Sequence, residues 1–246
     1  MKTILIIIGC IIVACAGTLY FAPGLFVPTY LETSVLIDKT DTFSSKPDAN
    51  EILALAHLQD DKWRSTRFRI QTVSNVTYNP ITKLELPSVI PLLTNPIERD
   101  KNVGVFSQSV KGQIDSINTL PVGFHSSSIY RTVMDEVNTV ASLEGKQKIV
   151  IIYSDLLEHS VLFNMYDTHG KALLKDNPKQ VKATFENAVK AGKLNGVQIY
   201  FVFRPRTEKE NDSFARVVAI YKDILEHAGA TVSVGANLIE SKTQQL

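Results

Sequence analysis

Cysteine is absent after residue 15, and charged residues are absent between Lys2 and Glu32. These two absences divide the 246-residue chain. Cys10 and Cys15 both fall in the uncharged stretch, so the remainder holds neither a disulfide nor a thiolate-metal scaffold. The chain has 26 Lys+Arg and 25 Asp+Glu, and Lys2 is the one charge before Glu32, so the rest is formally neutral. That balance excludes the basic footprint of a nucleic-acid binder. His57, His125, His159, His169 and His227 form no HExxH motif and no i,i+4 pair, which argues against a zinc site. No G-x-S-x-G elbow, Walker lysine loop or G-x-G-x-x-G turn occurs, so serine-hydrolase chemistry and nucleotide binding lack their usual motifs. Internal repeats and low-complexity tracts are absent as well.

What is present begins with an apolar run. From Ile4 to Ala22 the chain carries no charge. Such a stretch spans a bilayer as a helix or serves as a signal peptide. Ile12-Val13-Ala14-Cys15 behind Lys2 resembles the lipobox of bacterial lipoproteins, which implies lipid attachment at Cys15. The apolar residues Leu19 to Ala22 and Leu25 to Val27 fit equally an uncleaved anchor with an aromatic belt. Both alternatives make residues 1–31 a signal peptide or membrane anchor with a short linker. Residues 32–246 then form an extracytoplasmic domain tethered to a bacterial envelope.

Periodicity in that domain predicts strands at 33–37, 68–73, 81–86, 149–153, 197–203 and 231–234. Helices are predicted at 51–58, 105–117, 127–142, 181–191 and 211–227, the last stopped by Gly229. Residues 68–73 and 81–86 alternate in polarity and read as a hairpin-like pair, with Pro87, Pro91 and Pro96 in an irregular crossover after them. Residues 149–153 and 197–203 are continuous apolar runs of the kind buried on both faces of a parallel sheet. The expected fold is α/β, a three-layer, doubly wound, Rossmann-like and mostly parallel sheet with one antiparallel edge strand.

In such a sheet ligands gather beyond the carboxyl ends of the strands, where the strand order reverses; an order 3-2-1-4-5-6 puts the 33–37 and 149–153 strands there. They are followed by Asp38-Lys39-Thr40-Asp41-Thr42 and by Ser154-Asp155. Carboxylate and hydroxyl oxygens suit a hard divalent cation, and Mg²⁺ takes one or two carboxylates while keeping several waters. The same residues also read as local caps, with no metal.

Asp38-x-Thr40-x-Thr42 on a first strand, with Asp155 after a buried one, resembles the metal-ion-dependent adhesion site of von Willebrand factor type A domains. The resemblance runs in element order over residues 33 to 240. It implies a third hydroxyl in the loop opening a helix, where Ser126, Ser127 and Ser128 stand, Ser127 fitting best by spacing. It further implies a Mg²⁺ or Mn²⁺ held by Asp38, Thr40, Thr42, Ser127 and Asp155, and a protein partner that presents an acidic side chain to the metal. The chain departs from the family pattern in having threonines where serines are usual and Leu156 where glycine commonly follows the aspartate. The resemblance therefore implies a binding module and not an enzyme. Two alternatives stand beside it. One is an extracytoplasmic metal-dependent hydrolase of the phosphoesterase kind, with Asp41, His125 or His159 as general base or nucleophile. The other is a degenerate domain that has kept the fold without the metal.

Overall fold

The computed structural model describes residues 30–40, 46–73, 79–120 and 126–238. Thr42 and Cys15, like nearly all of the predicted anchor, lie outside them. Six strands form one sheet: β1 (Tyr30–Asp38), β2 (Ser65–Val73), β3 (Ile81–Leu86), β4 (Gln147–Tyr153), β5 (Val197–Val202) and β6 (Thr231–Gly235). Their order is β3-β2-β1-β4-β5-β6, the reversing order on which the position of the expected site depends. All neighbours pair in parallel except β2 with β3, where Thr66 faces Leu86 and Gln71 faces Ile81.

Alternation along the strands feeds two cores. On one face Val35 and Ile37 of β1, Phe68 and Ile70 of β2 and Ile149 and Ile151 of β4 pack with α1 (Ala49–Leu55) and α2 (Pro96–Thr119). On the other face Leu36, Val150, Ile152, Ile199 and Phe201 pack under α3 (Ile129–Ser142), α4 (Thr168–Asp176), α5 (Pro178–Ala188) and α6 (Glu208–His227). Burial of each large apolar side chain contributes about 1.5–3 kcal/mol, so strands buried on both faces carry most of the stabilisation. The second core is centred on aromatic rings: Tyr130 stacks on Phe185 at 4.3 Å between centroids, and Tyr221 meets Phe201 edge-on at 5.6 Å.

One ion pair crosses three elements. Arg69 of β2 donates from Nε and Nη2 to both carboxylate oxygens of Glu136 on α3, at 2.5 and 2.9 Å. The Ser34 hydroxyl of β1 donates to Glu136 Oε1 at 2.8 Å. A bidentate geometry with a third donor offsets the desolvation of the pair, which fixes α3 against the sheet.

Gly229 ends α6 as its position predicts. It adopts φ +100°, its amide donates to Glu226 O, and the Ala230 amide donates to Leu225 O, the paired bonds of a Schellman motif. A Cβ there would also lie 2.0 Å from Asn195 Oδ1. Two helical stretches were not anticipated. The helix expected at 105–117 begins at Pro96, where Asn95 caps it by accepting from the Ile97 amide at 2.9 Å. Helix α4 has no counterpart among the predicted helices.

Candidate functional site

Asp38 is the last residue of β1, and the register Ile37↔Tyr153 sets it level with Ser154 after β4. Its carboxylate, only 1% exposed, is held from two sides. Oδ1 accepts from the Thr40 amide at 2.9 Å and from the Thr40 hydroxyl at 2.6 Å. Oδ2 accepts from the Ser154 hydroxyl at 2.6 Å. Asp38 and Thr40 are thus in direct contact, and the β1 and β4 ends are joined across the switch point through Ser154, a residue the sequence pattern did not single out.

Asp155 follows at once. Its Oδ1 accepts from the Leu157 amide at 2.9 Å, the same i to i+2 turn that Asp38 makes with Thr40. The local-cap reading is therefore realised in both aspartates. Leu156, the middle residue of the Asp155–Leu157 turn, has φ +61° and a fully buried side chain in the second core. A leucine here holds the left-handed conformation that a glycine adopts freely.

Ser127 sits before α3 and is buried. It exchanges both backbone hydrogen bonds with His159, at 2.9 and 3.1 Å, so the β4–α4 loop is laced to the start of α3. Ser128, the N-cap residue of α3, makes no side-chain cap. Glu158 supplies it instead: the Tyr130 amide donates to its Oε2 at 2.8 Å, and the Ser160 hydroxyl donates to its Oε1. Burial pushes the Glu158 carboxyl up to about 6, against the bonds from Ser160 and the amides of Tyr130 and Ile129, with Asp38 raising it further. A buried glutamate 28 residues along the chain from the amide it caps has no local sequence signature.

Asp38, Asp155 and Glu158 all act on the buried Tyr221 hydroxyl, which burial foremost and these carboxylates in addition push well above the usual phenol range. Among the described residues no cluster of three His, Cys, Asp or Glu side chains forms a metal site of that composition. Arg204 and Arg206 lie on the same edge beside a cavity of about 640 Å³ lined also by Lys46, Glu51 and Tyr153. Arg206 is engaged with Glu210 at 2.7 Å. Of the histidines considered as bases, His159 holds its ring against Tyr166, 5.3 Å between centroids, and His125 lies outside the described residues, as does Asp41.

No family model and no curated protein matches the chain. Among solved structures, the conserved hypothetical protein BatB from Bacteroides thetaiotaomicron is similar at 12% identity over 87% of this chain and 96% of that chain, with a TM-score of 0.35.

Proposed function

We propose that this chain is a membrane-tethered, extracytoplasmic binding module of the von Willebrand factor type A kind. It takes Mg²⁺ or Mn²⁺ at the carboxyl edge of the sheet and engages a partner's acidic side chain through the metal. The observation that supports this best is the arrangement around Asp38. A hydroxyl that donates its proton to a carboxylate turns its lone pairs elsewhere, and Thr40 does so at the end of the central strand. The donor set of Asp38, Thr40 and Asp155, with Ser127 in the facing loop, is all hard oxygen with few carboxylates, which fits a cation that keeps waters and leaves a position for a partner. Leu156 departs from the family pattern in side chain, but its backbone is in the left-handed conformation that glycine adopts freely.

The test is thermal unfolding of the full chain in detergent, in chelator and then in millimolar Mg²⁺ or Mn²⁺. Binding to the folded state at about 100 times Kd adds roughly 2.7 kcal/mol. Asp38→Asn and Thr40→Val are expected to abolish the metal-dependent increment whatever they do to the baseline. If the increment is missing from the native chain, the metal reading fails. Metal-dependent turnover of a generic phosphoester would favour a hydrolase.

A further inference from the structure

We propose that the edge of the sheet opposite the candidate site lies against the lipid surface, with the β3–α2 segment as an apolar contact that seats the domain on the bilayer. The inference rests on the membrane-tethered reading and adds an orientation to it.

The chain's own path supplies the first argument. The apolar run is broken at Pro23 and β1 begins at Tyr30, so residues 23–29 link an uncleaved anchor to the sheet, a reach of at most about 25 Å when fully extended, and residues 16–29 link a lipid on Cys15 to it, at most about 50 Å. Tyr30 is at the amino end of a parallel strand, and β3 runs back antiparallel so that Leu86 finishes opposite Thr66 at the same end. The residues after β3 therefore emerge beside the chain's point of entry. A direct bond marks the adjacency, with the Tyr30 hydroxyl donating to Ser88 Oγ at 3.1 Å.

The composition of that segment supplies the second argument. Leu92 is 70% exposed, Leu93 81% and Ile97 79%, with Ile90 beside them. Single exposed leucines are ordinary, but four large exposed apolar residues within eight positions concentrate apolar surface on one segment, a feature that marks contact surfaces. A tether holds this edge near lipid at high effective concentration, which favours the bilayer over a free partner as its occupant.

The patch is also rigidly built. Arg99 is fully buried and donates only to backbone carbonyls: Nε to Lys62 O at 2.6 Å, Nη1 to Pro87 O at 2.9 Å and Nη2 to Arg64 O at 2.7 Å. It clamps the loop before β2, the exit from β3 and the first turn of α2 into one platform. Trp63, the single tryptophan, lies in the clamped loop with Lys62 Nζ 5.5 Å from its ring centroid, a pairing suited to the headgroup region. Acidic residues are present as well: Asp100 is paired with Lys62 at 2.9 Å, and Glu98 stands in the first turn of α2. The loop entering β2 adds Asp60 and Asp61 with Arg64, and the loops entering β4 and β5 add Lys146, Lys190 and Lys193 against Glu144, so the edge is close to charge balance and the apolar side chains carry the contact.

The experiment uses the full chain reconstituted into vesicles of zwitterionic and anionic phospholipid, a fraction of it brominated near the headgroup end of the acyl chains. One reporter carries Trp63→Phe with Leu93→Trp. The control carries Trp63→Phe with Val161→Trp, a fully exposed position on the carboxyl edge. Both variants should float with the vesicles. Quenching by about half of the Leu93→Trp emission alone, with a blue shift, is expected for an apolar face sunk to the headgroup boundary. Adding Leu92→Asp and Ile97→Asp should remove that quenching without preventing flotation. If the protein floats and the two reporters are quenched equally or not at all, the tether stands and the proposed orientation is wrong, leaving the patch to a protein partner or a second copy. If the protein does not float, the tethered reading fails and takes this inference with it.

Discussion

Leu156 poses a conflict between backbone and side chain. Holding an L residue in the left-handed region costs roughly 1–2 kcal/mol, whereas truncating a buried leucine costs about 2–5 kcal/mol. The side chain wins, so leucine is retained at φ +61° because it fills the core beneath the rim. Two substitutions separate the terms. Leu156→Ala loses the packing and keeps the strain, while Leu156→Gly loses the packing and relieves it. Both are expected to be less stable than the native chain, with glycine the better of the two by about 1 kcal/mol, the reverse of their usual order. Equilibrium denaturation of the three proteins decides it, and an alanine variant as stable as the glycine one would remove strain from the account. The same residue shows where sequence reading stops. Asp38, Thr40 and Asp155 were legible from their positions after two apolar runs, but no pattern specifies which hydroxyl turns toward Asp38, and Ser154 came to light only through the β1–β4 register.

Among the elements, α3 depends on a residue that is not its own. Its amino-terminal amides are satisfied by Glu158 from the loop after β4, so the rim and the helix are coupled. Because the Glu158 carboxyl is raised to about 6 from an ordinary 4.5, the folded state keeps a proton that the unfolded state has lost between those values. Stability from this group is fully present below about pH 4.5 and declines as pH rises through 6, by about 2 kcal/mol in total. Comparing the native chain with Glu158→Gln in chelator at pH 4.5 and pH 7 isolates the contribution from other carboxylates. The native chain should lose about 2 kcal/mol more than the variant across the interval, and parallel pH profiles would show that Glu158 does not titrate there. Helix α4 and the first turns of α2 were illegible for local reasons. Pro96 reads as a breaker but occupies the first helical turn, where its missing amide costs nothing, and the charged run from Glu98 to Lys101 hides the apolar period. Gly170 likewise reads as a breaker, yet it sits in the first turn of α4 because a Cβ would lie 1.7 Å from Asn164 O.

For the whole molecule, the strand order was the most legible property. Unbroken apolar runs at β4 and β5 report burial on both faces, and the alternation of β3 reports a half-exposed edge, because burial and not propensity sets these patterns. The sheet is accordingly graded from centre to edge. β1 is paired along its length with β2 on one side and β4 on the other, and packed by a core on each face. β3 has one partner, and five of its six residues are partly or well exposed. Amide hydrogen exchange should reveal this grading as a ladder of opening energies. The amides of Val35, Leu36 and Ile37 in β1, with those of Val150 and Ile151 in β4, are expected to exchange only through global unfolding, and their apparent free energies should fall with denaturant at the global slope. Amides of β3 should exchange through local opening that responds weakly to denaturant, several kcal/mol below the global limit. Since Asp38 ends the most protected strand and the turn holding Asp155 follows the next, a cation bound there would raise protection in β1 and β4 while leaving β3 at its local limit. If β3 proved as protected as β1, the edge would be opening only with the sheet as a whole, and the separation of a rigid centre from a labile margin would not hold.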